Sequence, residues 1–433
     1  MSPRRRVLLL CYFYPPLAGG GVHRVLSFTR HLPERGWDCT VVCAGEEDYW
    51  VIDDSLSARV PATTEVLRVR GGSGLSALLR WSRAPRGRRS GRAFGRLRSL
   101  SDWWLLPDSY VGWAGRARAA AARRIQRGGI DAVLSSSPPD SVHLAGRALR
   151  RRFGLPWIAD FRDPWIGLTF RTPPTAWHRA RHAALECGVL EDADAVLVAS
   201  RTHQRALGTA CGGRIDHARV HRLPNGFEAD VEEERAPAPA GGPDHFTLAF
   251  TGTLSLMPDT EVFLEAVHEM LKRHPEARRT LRAKLAGPYD AGYADRSVAL
   301  GLTPGIVEFQ GPRDHAASRA LQRSADLLLL WQPRATPTMV PGKLYEYLDA
   351  GRPILALLDP EGEAAELARR GGAEVVAPGD RDALAAALGR RWHAWRAGER
   401  APGARPAWLV EYQREHLSGQ LADLLDRLAG ARA

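Results

Sequence analysis

The sequence predicts an α/β protein made of two doubly wound parallel-sheet domains. Three observations predict it. Short apolar, β-rich runs alternate with stretches of helical spacing from the first residues onward. The alternation breaks once, at 236–244, in the Pro-, Ala- and Gly-rich run APAPAGGPD. It then restarts and runs for a second, similar-sized half. Strands that alternate with helices imply parallel pairing with helices on both faces of each sheet.

The elements follow in order. Strands are expected at 7–11 and 40–43 with a helix over 22–32 between them, a β-α-β opening. A strand at 132–134 precedes a helix over 141–153, a strand at 156–159 precedes a helix over 176–190, and 195–199 is a further strand. After the break come a strand at 246–250, a helix over 259–273 and strands at 283–285 and 307–309. A helix over 315–323, a strand at 327–331, a helix over 343–350 and a strand at 354–357 complete the second half. The domains are therefore set at 1–235 and 236–405, with an amphipathic helical segment, 406–433, that can pack on its own domain or cross back to the first.

Composition narrows the class. The chain has 433 residues, 44% of them hydrophobic, enough for a core in each half. Its five cysteines have no metal-ligand spacing and an odd count, so neither a zinc site nor a disulfide framework is expected, and a reducing cytoplasm fits. The apolar run after Arg4, Arg5 and Arg6 is short and ends in Pro15 and Pro16, which reads as a first strand rather than an export signal. Any membrane contact is expected to be peripheral. The net charge is +11, carried by arginine in all but three of 60 basic residues, the exceptions being Lys272, Lys284 and Lys343. No nucleic-acid module is recognisable, so nucleic acid is not expected as a partner. The segment 80–98 holds eight arginines and no acid, which suits either a solvated loop or docking on an anionic membrane or a phosphorylated acceptor.

Two segments carry candidate chemistry. In the loop 15–21, Gly19, Gly20 and Gly21 would let backbone amides approach an anion at the following helix. A dinucleotide fingerprint is not completed, because its third glycine would fall at Arg24. The stronger segment is 340–356. Pro341 and Gly342 open a helix, Lys343 and Leu344 lie in its first turn, and Glu346 follows three residues after Lys343. A cation and free amides at one helix end suit a diphosphate; a carboxylate one turn on suits a pair of ribose hydroxyls.

With these motifs the chain resembles the retaining glycosyltransferases of glycosyltransferase family 4. The resemblance runs through YFYPPLAGGG at 12–21, LPNGF at 223–227, FTGTL at 250–254, VEFQGP at 307–312 and the helix just described. SSSPPDSVHLAG at 135–146, ADFRDPW at 159–165 and the P-x-K-x-x-E-Y pattern at 341–347 are similar to a bacterial subgroup. The resemblance implies the GT-B fold, two Rossmann-like domains facing a central cleft, and transfer of a sugar from a nucleoside diphosphate sugar with retention of configuration. That donor would be a co-substrate, and no bound cofactor is expected.

Residue by residue, the resemblance gives Glu346 the nucleotide ribose, while Thr338 stands where the family has its donor-sugar acid. Gly252 is matched, but Thr253 and Pro258 replace the family's arginine and lysine, which leaves the diphosphate charge to Lys343 with Arg313 or Arg334. Asn225 and Gly226 match the family's NG turn. On the acceptor side, which would take a small-molecule or lipid-linked substrate, Ser136 lies in the serine run after a strand and His143 in a helix. Asp160, Arg162 and Asp163 follow a strand end, where open α/β sheets place ligands. Pairing of Arg162 with either acid as scaffold is the alternative. Lys343, Asp163 and His143 are the candidate catalytic residues. No metal is expected, since the D-x-D at Asp192 and Asp194 lies at a helix end. Epimerisation or hydrolysis of a nucleotide sugar, or binding without turnover, are the competing functions.

Overall fold

The computed structural model describes residues 4–17, 20–49, 52–71, 103–167, 173–229, 244–255, 257, 259–332, 336, 338–399 and 405–431. Gly19, Pro258, Arg334, the arginine-rich segment 80–98 and most of 236–244 lie outside them. The chain divides into two compact units, 1–225 with 414–433, and 226–413. The division falls within the NG turn, before the composition break at which sequence set the boundary. The last helix, Arg414–Gly430, joins the N-terminal unit.

The N-terminal sheet has seven parallel strands: β1 (Arg5–Cys11), β2 (Trp37–Ala44), β3 (Glu65–Val69), β4 (Ala132–Ser137), β5 (Trp157–Phe161), β6 (Ala195–Val198) and β7 (Val220–Arg222). Their order is β3-β2-β1-β4-β5-β6-β7. Alternation along β1 feeds two cores. Leu8, Leu10 and Tyr12 enter one with helices Val111–Gln126 and Ser141–Phe153, whereas Val7, Leu9 and Cys11 enter the other with Leu417, Leu421 and Leu425 of the last helix. A strand buried on both faces reads as a continuous apolar run, which is why β1 is legible in sequence. β3 and β7 are edge strands of only five and three residues, which the sequence pattern does not mark.

The C-terminal sheet has six parallel strands in the order β10-β9-β8-β11-β12-β13. They are β8 (Phe246–Thr251), β9 (Leu281–Ala286), β10 (Val307–Gly311), β11 (Leu327–Trp331), β12 (Ile354–Leu357) and β13 (Glu374–Val376). Leu327, Leu329 and Trp331 face one core and Leu328 and Leu330 the other. Side-chain caps start the helices: Asp314 accepts from Ala317 N and Asp380 from Ala383 N. Each sheet reverses its strand order once, between β1 and β4 and between β8 and β11, and crevices for ligands form at the carboxyl ends of such strand pairs.

Two expectations need correction. Cys187 and Cys211 form a disulfide, with Cα atoms 5.5 Å apart, although no spacing announced one. Helix Ala176–Asp192 and the turn after helix Arg201–Ala206 bring the two thiols together across 24 residues. The pair removes the cysteine argument for a reducing compartment. The second correction concerns Arg162. Asp160 pairs instead with Arg24, whose Nε and Nη2 donate to the two carboxylate oxygens at 3.0 and 2.7 Å, both side chains being buried. Arg24 Nη1 also donates to Leu223 O and Pro224 O, so one guanidinium ties the first helix, the end of β5 and the LPNG segment.

Removing one member of a buried pair strands the other charge. Arg24→Met is therefore expected to lose about 3–5 kcal/mol in chemical denaturation, and Arg24→Met/Asp160→Leu to recover part of it. A loss under about 1 kcal/mol in the single variant would show that Asp160 is satisfied without Arg24.

Candidate active site

The C-terminal candidates converge at the reversal between β8 and β11. β8 ends at Thr251, and Gly252 follows with φ 129°. A Cβ at Gly252 would collide with Lys343 Nζ, and one at Gly287 (φ 144°) would collide with Gly252 O. The missing side chains thus let three backbone segments and one lysine share this edge. Gly252 N donates to Ala286 O at 2.8 Å and Gly287 N to Gly311 O at 2.7 Å, which stitches the ends of β8, β9 and β10. At the end of β11, Gln332 Nε2 bonds Thr336 Oγ1 (2.7 Å) and Met339 O (3.0 Å). That carboxamide shapes the turn holding Thr338, which leads to Pro341, the N-cap of helix Gly342–Ala350.

Lys343 is the electrostatic anomaly of this unit. Its Nζ is buried without a hydrogen-bond partner among the described residues and lies 4.1 Å from the centre of the Phe250 ring. Burial pushes its pKa down from 10.5 to about 8, with Glu346 opposing the shift. A cation–π contact replaces part of the lost hydration, but an ammonium carries three donors and none is used.

Glu346 is held from behind. Gln322 Nε2 donates to Thr251 Oγ1 at 2.9 Å and lies 3.4 Å from Glu346 Oε2, and His315 Nε2 is 3.9 Å from Oε1. Arg319 donates to Gln322 Oε1 and Glu346 O and pairs with Asp349. Tyr347 Oη accepts from Thr251 N at 2.9 Å. Sequence reasoning missed Arg319, Gln322 and His315, and marked Tyr347 only as the last position of the P-x-K-x-x-E-Y pattern. Only the polar residues within the apolar pattern of helix His315–Ser324 hinted at them. Leu344 is buried core. Thr253 continues the Gly252 loop, and Arg313 is exposed beyond β10.

On the N-terminal unit, Ser136, Asp160 and Arg162 belong to a buried scaffold at the β4 and β5 ends. Ser136 Oγ donates to Asp160 at 2.8 Å. Arg162 donates to Ser137 O at 2.5 Å and to Gly21 O, which fixes the glycine loop. Asp163 follows, half-buried. His143 is fully buried and stacks on Phe161 at 4.2 Å. Trp157 Nε1 donates to Ser135 Oγ, which also shares a 2.8 Å hydrogen bond with His143 Nδ1, while His143 Nε2 is buried without a partner among the described residues. Burial pushes this histidine down to about 3, so at neutral pH it is uncharged. Asn225 and Gly226 (φ 61°) form the turn where the two units join. Asp192 bonds Arg147 and Arg151, and Asp194 bonds Arg150 and Trp157 N, so the D-x-D is tied into the fold.

A buried ammonium with a lowered pKa costs stability in full below about pH 8, and the cost disappears as pH rises toward 10.5. Lys343→Met is therefore expected to stabilise the ligand-free protein at pH 7, by up to about 3 kcal/mol, in urea denaturation. The gain should vanish by pH 10.5. A less stable variant at pH 7 would mean that the ammonium is satisfied in the free protein.

Known proteins match this architecture in both halves. Residues 19–226 match the glycosyl transferase 4-like domain, and residues 245–393 match the glycosyl transferases group 1 family. A D-inositol 3-phosphate glycosyltransferase from Corynebacterium kroppenstedtii is 33% identical over 110 residues, 24% of each chain, so the match spans about a quarter of that relative. Among solved structures, Anabaena Alr3699/HepE in complex with UDP-glucose superposes with a TM-score of 0.61 at 14% identity, over 98% of this chain and 99% of that one. Sucrose-phosphate synthase from Thermosynechococcus elongatus gives 0.65 at 16% identity, over 99% and 100%. The N-terminal domain of Candida albicans trehalose-6-phosphate phosphatase gives 0.65 at 14% identity, over 99% and 97%. Two glycosyltransferase domains matched in order, on two Rossmann-like parallel sheets, make this chain a GT-B-fold protein related to the glycosyl transferase 4-like and group 1 families.

Proposed function

We propose that the protein transfers a sugar from a nucleoside diphosphate sugar to an acceptor, with the donor held by the C-terminal unit and the configuration retained. The observation that carries this reading is the buried Lys343 ammonium, unpartnered beside the Gly252 turn and the first turn of helix Gly342–Ala350. A diphosphate there would supply the acceptors that the ammonium lacks, and free amides at the helix end would add to them. As the bond from the anomeric carbon to the diphosphate oxygen breaks, its electrons pass to the diphosphate, and Lys343 stabilises the growing charge. The acceptor nucleophile then bonds to that carbon, and its proton passes to an oxygen of the departing diphosphate. Glu346, positioned by Gln322, would hold the ribose hydroxyls. Thr338 and Thr253 offer hydroxyls in place of the acid and arginine that the resemblance leads one to expect. The same reading makes the acceptor a small molecule or a lipid-linked glycan at the cytoplasmic face of an anionic membrane.

Kinetics separate the two roles. Lys343→Ala should lower kcat by about 10² to 10³, the usual effect of removing a preorganised charge stabiliser, with a smaller change in nucleotide affinity. Glu346→Gln should mainly raise the Kd for UDP, GDP or ADP, whichever stabilises the wild type in a thermal-shift screen. Wild-type kinetics in both variants would place the donor elsewhere. Donor binding without sugar transfer in the wild type would favour the binding-only reading.

The reading uses no divalent metal, because Lys343 and helix amides supply the positive charge. Turnover is expected to persist in EDTA. Loss that magnesium or manganese restores would overturn this part.

A further inference from the structure

The N-terminal unit exposes an aromatic surface that the donor chemistry does not use. Trp103, Trp104 and Trp177 are 51%, 85% and 62% exposed, and Ile166 is 38% exposed. They form one surface rather than scattered residues. His178 lies 5.5 Å from the Trp103 ring and 4.9 Å from the Trp177 ring, and its Nε2 is 3.4 Å from Trp103 O. One turn along the same helix, His182 Nδ1 accepts from Trp165 Nε1 at 3.0 Å. Trp165 stacks on Phe161, at the carboxyl end of β5, which stacks in turn on His143. A line of rings therefore runs from the acceptor-side sheet edge out to the exposed tryptophans.

The charge around this surface is mainly positive, with Asp102 and Asp163 at its margins in sequence. Residues 164–184 contain no acid. Arg179 and Arg181 are exposed and form no ion pair among the described residues. In the described stretch leading from Trp103 into helix Val111–Gln126, the acid Asp108 is buried and caps Ser141. Tryptophan favours the headgroup layer, where an apolar ring and an N–H donor are both satisfied, and guanidinium groups favour anionic phosphate. A symmetric contact with a second copy would instead set Arg179 and Arg181 against themselves.

We propose that Trp103, Trp104, Trp177 and Ile166, with Arg179 and Arg181, seat the N-terminal unit on a bilayer containing anionic lipid. This deepens the peripheral-membrane part of the function above and is independent of the donor site. The test is co-sedimentation of the full chain with phosphatidylcholine vesicles and with vesicles containing phosphatidylglycerol. The wild type should bind the anionic vesicles and keep a salt-resistant fraction at 0.5 M NaCl, about 3–4 Debye lengths of screening inside 15 Å. Trp103→Ser/Trp104→Ser/Trp177→Ser should lose that fraction while keeping the wild-type melting temperature and its nucleotide thermal shift. Arg179→Glu/Arg181→Glu should weaken binding at low salt by about fivefold or more per arginine. Wild-type binding by the tryptophan variant at both salt concentrations, absence of binding by the wild type, or a dimer in sedimentation velocity that the tryptophan variant abolishes would overturn the proposal. Vesicle binding without any nucleotide thermal shift in the wild type would instead count against the donor reading alone.

Discussion

The C-terminal unit is organised around one desolvated charge. An ammonium without hydrogen bonds is among the least favourable groups a core can hold, and Lys343 is kept there by its surroundings. Phe250 gives it a π face, Gly252 leaves it room, and the start of helix Gly342–Ala350 fixes its backbone. Phe250 in turn stacks on Trp331 at 4.1 Å, so the strands on either side of the sheet reversal meet beneath the lysine. Such an arrangement is unfavourable by itself, which is why the proposed function gives it a diphosphate as partner.

The same logic, with the opposite outcome, operates in the N-terminal unit. Asp160 is a buried charge as well, but two nitrogens of Arg24 and the hydroxyl of Ser136 satisfy it within the fold. Arg24 occupies the place where a dinucleotide-binding loop would have its third glycine. Its length is what reaches the LPNG segment, so a departure from one motif supports another. One unit thus holds a satisfied charge pair that sets its loops, and the other a buried charge with no hydrogen-bond partner among the described residues.

Around Glu346 the support is a chain of polar side chains from two helices and a strand. Arg319, Gln322, Thr251 and Tyr347 fix one another, and the carboxylate lies against their edge. Polar networks of this kind specify a geometry when every member is bonded. The proposed ribose contact would use that rigidity, since the two oxygens of Glu346 would have to meet two hydroxyls at once.

The sequence by itself determined the alternation of strands and helices, because parallel strands buried on both faces are written as apolar runs and helices carry their caps and periodicity locally. It also marked Pro341, Gly342, Lys343 and Glu346 as one group, since they fall within the first two turns of one helix. Only the tertiary structure decided what lay across long separations: the Arg24–Asp160 pair over 136 residues, the Cys187–Cys211 disulfide, the return of the last helix to the first unit, and Gln322 behind Glu346. Edge strands β3, β7 and β13 escaped because they are only three to five residues long, too short to show a pattern. Periodicity reports which face of an element is buried. It does not report which partner meets that face, and the partner decides whether a charge is scaffold or site.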